Sequence, residues 1–211
     1  MKLNKKVINQ LDAIFKDLKK RITLKYFTQS MECTACQETR ELLEELAGLT
    51  DKIKLDVYDF VEDKAEVEKY NVDKIPAIVM MDEKDYGIRF FGVPSGYEFT
   101  SLIEAIKLVS TGETMLSSES KKFLDGLEKE IHLQVFVTPT CPYCPSSVIL
   151  AHHMAYYSPK VRADMIESIE FPELAVKYNI MGVPMTIINE TALMEGAGQE
   201  DMLIEKIKSV L

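Results

Sequence analysis

Apolar residues in the first stretch of the chain fall at Val7, Leu11, Ile14, Phe15 and Leu18. Steps of three and four place them on one face of a helix over about 3–20. The period then shortens. ITLKYF (22–27) alternates like a strand, and Leu42, Leu43, Leu46 and Leu49 return to helical spacing with Gly48 near the end of that run. IKLDV (53–57) predicts a second strand, Glu62 to Tyr70 a short charged helix, and IPAIVMM (75–81) a third strand. DEKDYG (82–87) is a turn into a fourth strand, IRFFG (88–92), and a helix follows over about 97–110.

TGETMLSS (111–118) carries Gly and small polar residues and reads as a linker. Beyond it the order recurs: helix 119–130, strand 131–137, a helix running to about 157, strand 160–166 and helix 171–179. Strand 184–189, a turn at Asn189-Glu190, strand 192–195 and a closing helix over 199–210 complete it. The recurrence extends to single residues. Shifted by 108, Cys141 falls on Cys33, Cys144 on Cys36, Asp164 on Asp56, and KYNIMGVP (177–184) on KYNVDKIP (69–76). Such a gapless match marks an internal duplication, and 211 residues accommodate two units of about 100. The expected units are 1–116 and 117–211. Each has the order βαβαββα behind an extra leading helix, an α/β class with a central mixed sheet flanked by helices.

Composition narrows the function. The formal net charge is −9 and the pI about 5.0, which opposes a nucleic-acid surface or an anionic membrane, since both need concentrated basic charge. Lys19-Lys20-Arg21 and Lys121-Lys122 read as solvated helix faces or ends. The N-terminal stretch lacks the apolar core of a secretory signal, and no apolar run is long enough to span a bilayer, so a cytoplasmic location is expected. All four cysteines lie in C-x-x-C pairs, ECTAC (32–36) and TPTCPYCP (138–145). In a cytosolic chain that usage is catalytic or metal-binding before it is structural.

Each pair sits where a strand feeds a helix. The unpaired N–H groups and positive dipole end of that helix favour a thiolate on the first cysteine, and the second is placed to resolve a mixed disulfide. Pro142 suits the first helical position and Pro145 the first turn. The expected nucleophiles are Cys33 and Cys141, with Cys36 and Cys144 resolving. Pro76 and Pro184 recur at the start of interior strands, where proline is unfavourable in an ordinary ladder. Either they are edge prolines in trans, or a cis bond frees the backbone at Ile75 and Val183 to pair with an extended peptide. Tyr143 is expected to be exposed and to touch substrate. Met181 and Met185 flank Pro184 as packing residues or as a soft surface for peptides.

C-P-Y-C, the 43-residue interval from first Cys to I-P or V-P, and the βαβαββα order resemble the thioredoxin superfamily, with GAGQED (196–201) similar to the glutaredoxin Gly-rich turn. Two such units resemble the protein disulfide oxidoreductases, or glutaredoxin-like proteins, of thermophilic archaea and bacteria. The resemblance implies cis prolines at 76 and 184 and dithiol–disulfide exchange that reduces, forms or isomerises disulfides in protein substrates. The chain departs from it in CTAC, which has no proline, and in lacking the buried Asp of the strand before the cysteines. Phe27 and Val135 stand nearest that place, beside Lys25 and Gln134. Lys54/Asp56 and Arg162/Asp164 are candidate relays, although Lys54 and Arg162 also read as strand-end charges.

Glu32 and Glu38 oppose a thiolate at Cys33, whereas no carboxylate lies within ten residues of the Cys141 pair, so CPYC is expected to be the more reactive. No nucleotide or flavin motif is present; no bound cofactor is expected, and electrons must come from an external donor such as a thioredoxin reductase or glutathione. Rival readings are an electron relay serving one partner such as a peroxiredoxin, a zinc site of four thiolates, and a redox-inactive binding module. Of His152 and His153, one is expected in the core and one at the surface.

Overall fold

The fold is described from a computed structural model covering residues 3–211. The first unit contains α1 (Lys5–Lys16), β1 (Ile22–Thr28), α2 (Cys36–Gly48), β2 (Ile53–Asp59) and α3 (Lys64–Lys69). It continues with β3 (Ala77–Met81), β4 (Asp85–Phe91) and α4 (Glu98–Thr111). The second repeats it as α5 (Ser118–Asp125), β5 (Ile131–Val137), α6 (Cys144–Tyr157), β6 (Val161–Glu167), α7 (Pro172–Lys177), β7 (Met185–Ile188), β8 (Ala192–Glu195) and α8 (Glu200–Lys208). Both leading helices are shorter than expected: α1 stops at an Asp17 cap and α5 at Gly126. β3 and β7 begin one residue after Pro76 and Pro184, because proline has no N–H to give to the ladder.

The strands form one continuous sheet in the order β2-β1-β3-β4-β6-β5-β7-β8. Within each unit the first two strands are parallel and the last two run as an antiparallel hairpin. The units fuse where β4 pairs in parallel with β6, from Ile88 opposite Ala163 to Phe91 opposite Ile166. Adjacent residues point to opposite faces, so a central strand must be apolar on both. β4 meets this with Phe90 in the core under α4 and α6 and Phe91 in the second core near α3 and α7, both fully buried. Phe90 packs edge-on against the His152 ring, 4.8 Å between centroids.

At one end of the seam the charges are paired. Arg89 holds Asp85 through both terminal nitrogens, Arg162 holds Asp164, and Arg162 Nη1 also donates to the Asn71 carbonyl across the seam at 3.3 Å. His152 and His153 are both buried, which corrects the expectation for one of them. The linker covers His153: its Nδ1 accepts from Met115 N at 3.2 Å and lies 3.2 Å from Thr114 Oγ1. Among the described residues no helix is long and apolar enough to cross a membrane.

A shared sheet and a shared core make the two units one cooperative block. Thermal unfolding followed by circular dichroism is expected to show a single transition. Phe90→Ala should destabilise it by about 3–5 kcal/mol, the cost of a large aromatic cavity in a core. Two separate wild-type transitions would contradict this description.

Candidate redox centres

In the second unit β5 delivers the chain to a turn in which Cys141 N donates to Thr138 O at 3.1 Å. Cys144 then opens α6, and its backbone N–H donates to Cys141 Sγ at 3.1 Å. The free N-terminal donor of the helix is therefore aimed at the first sulfur, where it would stabilise negative charge. Cys141 and Cys144 form a disulfide. Pro145 lies in the first turn as expected, but Pro142 precedes the helix, which begins after Tyr143.

Cys141 is the outer sulfur, yet it is only 7% exposed, with Cys144 at 0%. The Val183 carbonyl oxygen lies 3.7 Å from Cys141 Sγ, and the first unit reaches over the turn, Tyr97 N donating to Pro139 O at 3.0 Å. Gly96, at φ +60°, has its backbone against the Pro139 carbonyl, where a side chain would collide. Tyr143 and Met181 stand out into solvent beside this centre, 71% and 85% exposed.

The first unit builds the same arrangement with different supports. Cys33 and Cys36 form a disulfide, Cys33 half-buried and Cys36 buried. Tyr26, fully buried on β1, donates its hydroxyl to the Cys36 carbonyl at 2.6 Å and so anchors the start of α2. The Ile75–Pro76 and Val183–Pro184 bonds are both cis. In each unit a glycine after the hairpin secures the proline: Gly92 N donates to Pro76 O at 2.9 Å and Gly196 N to Pro184 O at 2.8 Å. GAGQED thus supports the Pro184 loop.

β1 and β5 run in the same direction, so both cysteine pairs lie at one end of the sheet. The order of strands puts three between them. Four strand spacings separate the centres by roughly 19 Å. Thiolates bind zinc at about 2.3 Å, so these four sulfurs do not converge on one ion. Among the described residues no group of three or more His, Cys, Asp or Glu is placed to hold a metal.

The strand charges are engaged with one another. Lys25 Nζ contacts Tyr58 Oη at 2.7 Å, Glu66 at 3.4 Å and Asp56 at 3.8 Å. Lys54 pairs with Asp56 at 2.9 Å. Asp164 is fully occupied by His132 at 2.6 Å and by Arg162, partners that hold its carboxyl well below the usual range. These pairs brace the strands.

The acid that counting along the chain missed is Glu98, the residue after Tyr97. It is 1% exposed; Ser101 Oγ donates to its Oε2 at 2.6 Å, while Oε1 is buried without a partner. Burial pushes its carboxyl up to about 7. Its one signal in sequence is an acidic residue in the first turn of a helix, which is commonplace.

The thioredoxin domain family model matches residues 22–104 and 131–208, one match in each unit. This chain belongs to the thioredoxin domain family. Among solved structures, a mutant of the alkylhydroperoxide reductase AhpF of Enterococcus faecalis is 31% identical with a TM-score of 0.91, over 97% of this chain and 99% of that one. A protein disulfide oxidoreductase from Aeropyrum pernix is 26% identical with a TM-score of 0.93, over 100% and 94%. Among curated proteins, a Bacillus subtilis NADH dehydrogenase is 28% identical over 98% of this chain and 37% of its own length. An alkyl hydroperoxide reductase component of Pseudomonas aeruginosa is 28% identical over 81% and 31%. The chain spans about a third of the curated relatives it matches. As a thioredoxin-family chain with two disulfide-forming C-x-x-C pairs, it carries thiol–disulfide redox chemistry.

Glu98 binds its proton more tightly folded than unfolded, so its contribution to stability falls as pH rises from about 4.5 through 7. His132, whose carboxylate partners raise its pKa, acts in the same direction. Buried His152 and His153, whose pKa values burial lowers, act in the opposite direction, so the contribution of Glu98 is read as the downward slope in melting temperature between pH 5 and pH 8 that its substitution removes. Glu98→Gln should flatten that slope and gain up to about 3 kcal/mol at pH 8. A slope that Glu98→Gln leaves unchanged would show that Glu98 does not hold its proton at neutral pH.

Proposed function

We propose that this chain is a thiol–disulfide oxidoreductase that passes electron pairs from an external donor to a disulfide in a partner protein. The observation that carries the reading is the Cys144 N–H aimed at Cys141 Sγ at 3.1 Å, because it prepares the first sulfur to be a thiolate. In the reduced form Cys141 attacks a partner disulfide and one partner sulfur leaves as a thiolate that takes a proton. Cys144 then loses its proton and attacks Cys141, releasing the second partner sulfur. The partner gains two electrons and two protons, and the Cys141–Cys144 bond closes. Cys33 and Cys36 perform the same exchange.

Ile75 with Pro76 and Val183 with Pro184 receive the partner's extended segment, and Tyr143 contacts it. We assign exchange of the Cys144 proton to Glu98, buried one residue after the Tyr97 whose N–H holds Pro139 O. CPYC is the more reactive centre, since Glu32 and Glu38 flank CTAC. Because the centres lie roughly 19 Å apart, the two pairs exchange electrons only through a partner or a second copy.

The relatives named for alkyl hydroperoxide reductase favour a relay whose acceptor is a peroxiredoxin. The Aeropyrum pernix neighbour, described as a protein disulfide oxidoreductase, supports a broader reductase or isomerase role. The donor we favour is a thioredoxin reductase, with glutathione as the alternative, in the cytoplasm. We divide the units at 1–116 and 117–211, where buried Leu116 is followed by Ser117, whose Oγ caps α5 by accepting from Ser120 N at 3.2 Å.

Cys144→Ser should trap a mixed disulfide with a peroxiredoxin or a model protein disulfide, detectable on a non-reducing gel. Losing the Cys141/Cys144 pair should slow turnover at least about tenfold more than losing the Cys33/Cys36 pair. Equal losses would contradict the ordering, and the absence of any trapped species would point to a binding module. Turnover with a peroxiredoxin but not with scrambled protein disulfides separates the relay from the isomerase.

A further inference from the structure

The first unit's centre has no buried acid on its own strands. β1 offers Lys25, Tyr26 and Phe27, and Lys25 is engaged with Tyr58 and Glu66. Buried carboxylates come instead from the other unit, on the segment leaving β6. Glu170 Oε1 accepts from Val93 N at 2.7 Å across the seam, and Glu170 N donates to Glu167 Oε2 at 2.7 Å. Glu170 Oε2 and Glu167 Oε1 are both buried without a partner. Two carboxylates held this close, each with a desolvated orphan oxygen, favour keeping a proton between them. Burial and the neighbouring Glu167 push the Glu170 carboxyl up to about 7, and burial raises Glu167 as well.

This pair lies against the supports of the Cys33–Cys36 centre. Gly92, at φ +90°, has no room for a side chain: a Cβ there would sit 2.6 Å from Glu167 Cβ and 2.9 Å from Glu170 Oε1. The same Gly92 donates to Pro76 O. On the side of α2, Glu170 shares its field with Glu38 in the first turn. It also acts on Tyr26, whose hydroxyl holds the Cys36 carbonyl and which feels Arg40 as the opposing charge.

We propose that Glu170, buttressed by Glu167, is a positioning and proton-holding residue for the Cys33–Cys36 centre, supplied to the first unit by the second. This rests on the redox reading of that pair. When an external dithiol reduces it, two electrons break the Cys33–Cys36 bond, leaving a thiolate on Cys33 and a thiol on Cys36. The dithiol closes to its own disulfide and releases two protons. One goes to Cys36 sulfur and the other to the Glu170–Glu167 pair, which loses one of its two negative charges as Cys33 gains one. A carboxylate that stayed ionised there would oppose the thiolate, so the second unit sets how readily the first is reduced.

The test is a dithiothreitol titration of the full chain at pH 6, 7 and 8, with differential alkylation and mass spectrometry reading each pair separately. Glu170→Gln should shift the Cys33–Cys36 equilibrium toward the dithiol by about three- to tenfold at pH 8, where a charge is removed. It should cause no measurable shift at pH 6 and leave Cys141–Cys144 unchanged at both. Glu170→Asp should keep the pH dependence. Glu167→Gln should move the break to lower pH, which gives a second reading if Glu170→Gln fails to fold. A Glu170→Gln effect that is independent of pH or equal at both pairs, or a break that Glu167→Gln leaves in place, overturns the proposal alone. A Cys33–Cys36 bond that no dithiol reduces sinks the redox reading of the first unit and the proposal with it.

Discussion

The parallel pairing of β4 with β6 is the constraint on which the rest depends. Without it the chain would be two small units, each with an open strand edge and half a core. With it, β4 becomes an interior strand that needs a large apolar residue on both faces, and Phe90 and Phe91 supply them. Parallel pairing also fixes direction. β1 and β5 point the same way, so both cysteine pairs open on one end of the molecule, while at the other end Arg162 reaches across the seam to the Asn71 carbonyl.

The seam also explains where the acids come from. Neither strand that leads to a cysteine pair carries a buried carboxylate near the sulfurs. Instead, Glu98 follows the first-unit residues that grip Pro139, and Glu170 follows the second-unit strand that presses on Gly92. In our reading each unit borrows its titrating group from the other, and the duplication makes one functional object.

Much of this was legible from the residues. The change of hydrophobic period located all the strands, because a half-buried or fully buried strand alternates or runs apolar whatever it pairs with. The cysteines, Pro76 and Pro184 were exposed by the 108-residue repeat. What was hidden depends on contacts between distant segments. IRFFG reads as an interior strand but does not say that its partner is VRADMIE. The cover over Cys141 comes from Gly96 and Tyr97, and the burial of His153 from the linker. Counting carboxylates along the chain around Cys141 could not see Glu98, 43 residues away. The helix start was misplaced by two residues because Pro142 fits a turn as well as a first helical position.

The most direct measurement of the central claim is a redox equilibrium for each cysteine pair in the wild-type chain and in chains whose other pair is replaced by serine. Two centres fixed at one end of a rigid sheet, roughly 19 Å apart, should each switch reversibly between dithiol and disulfide. Each should keep its own potential when the other is absent. Potentials that move together, or a pair that never leaves one state, would contradict two independent thiol–disulfide centres joined by a structural seam.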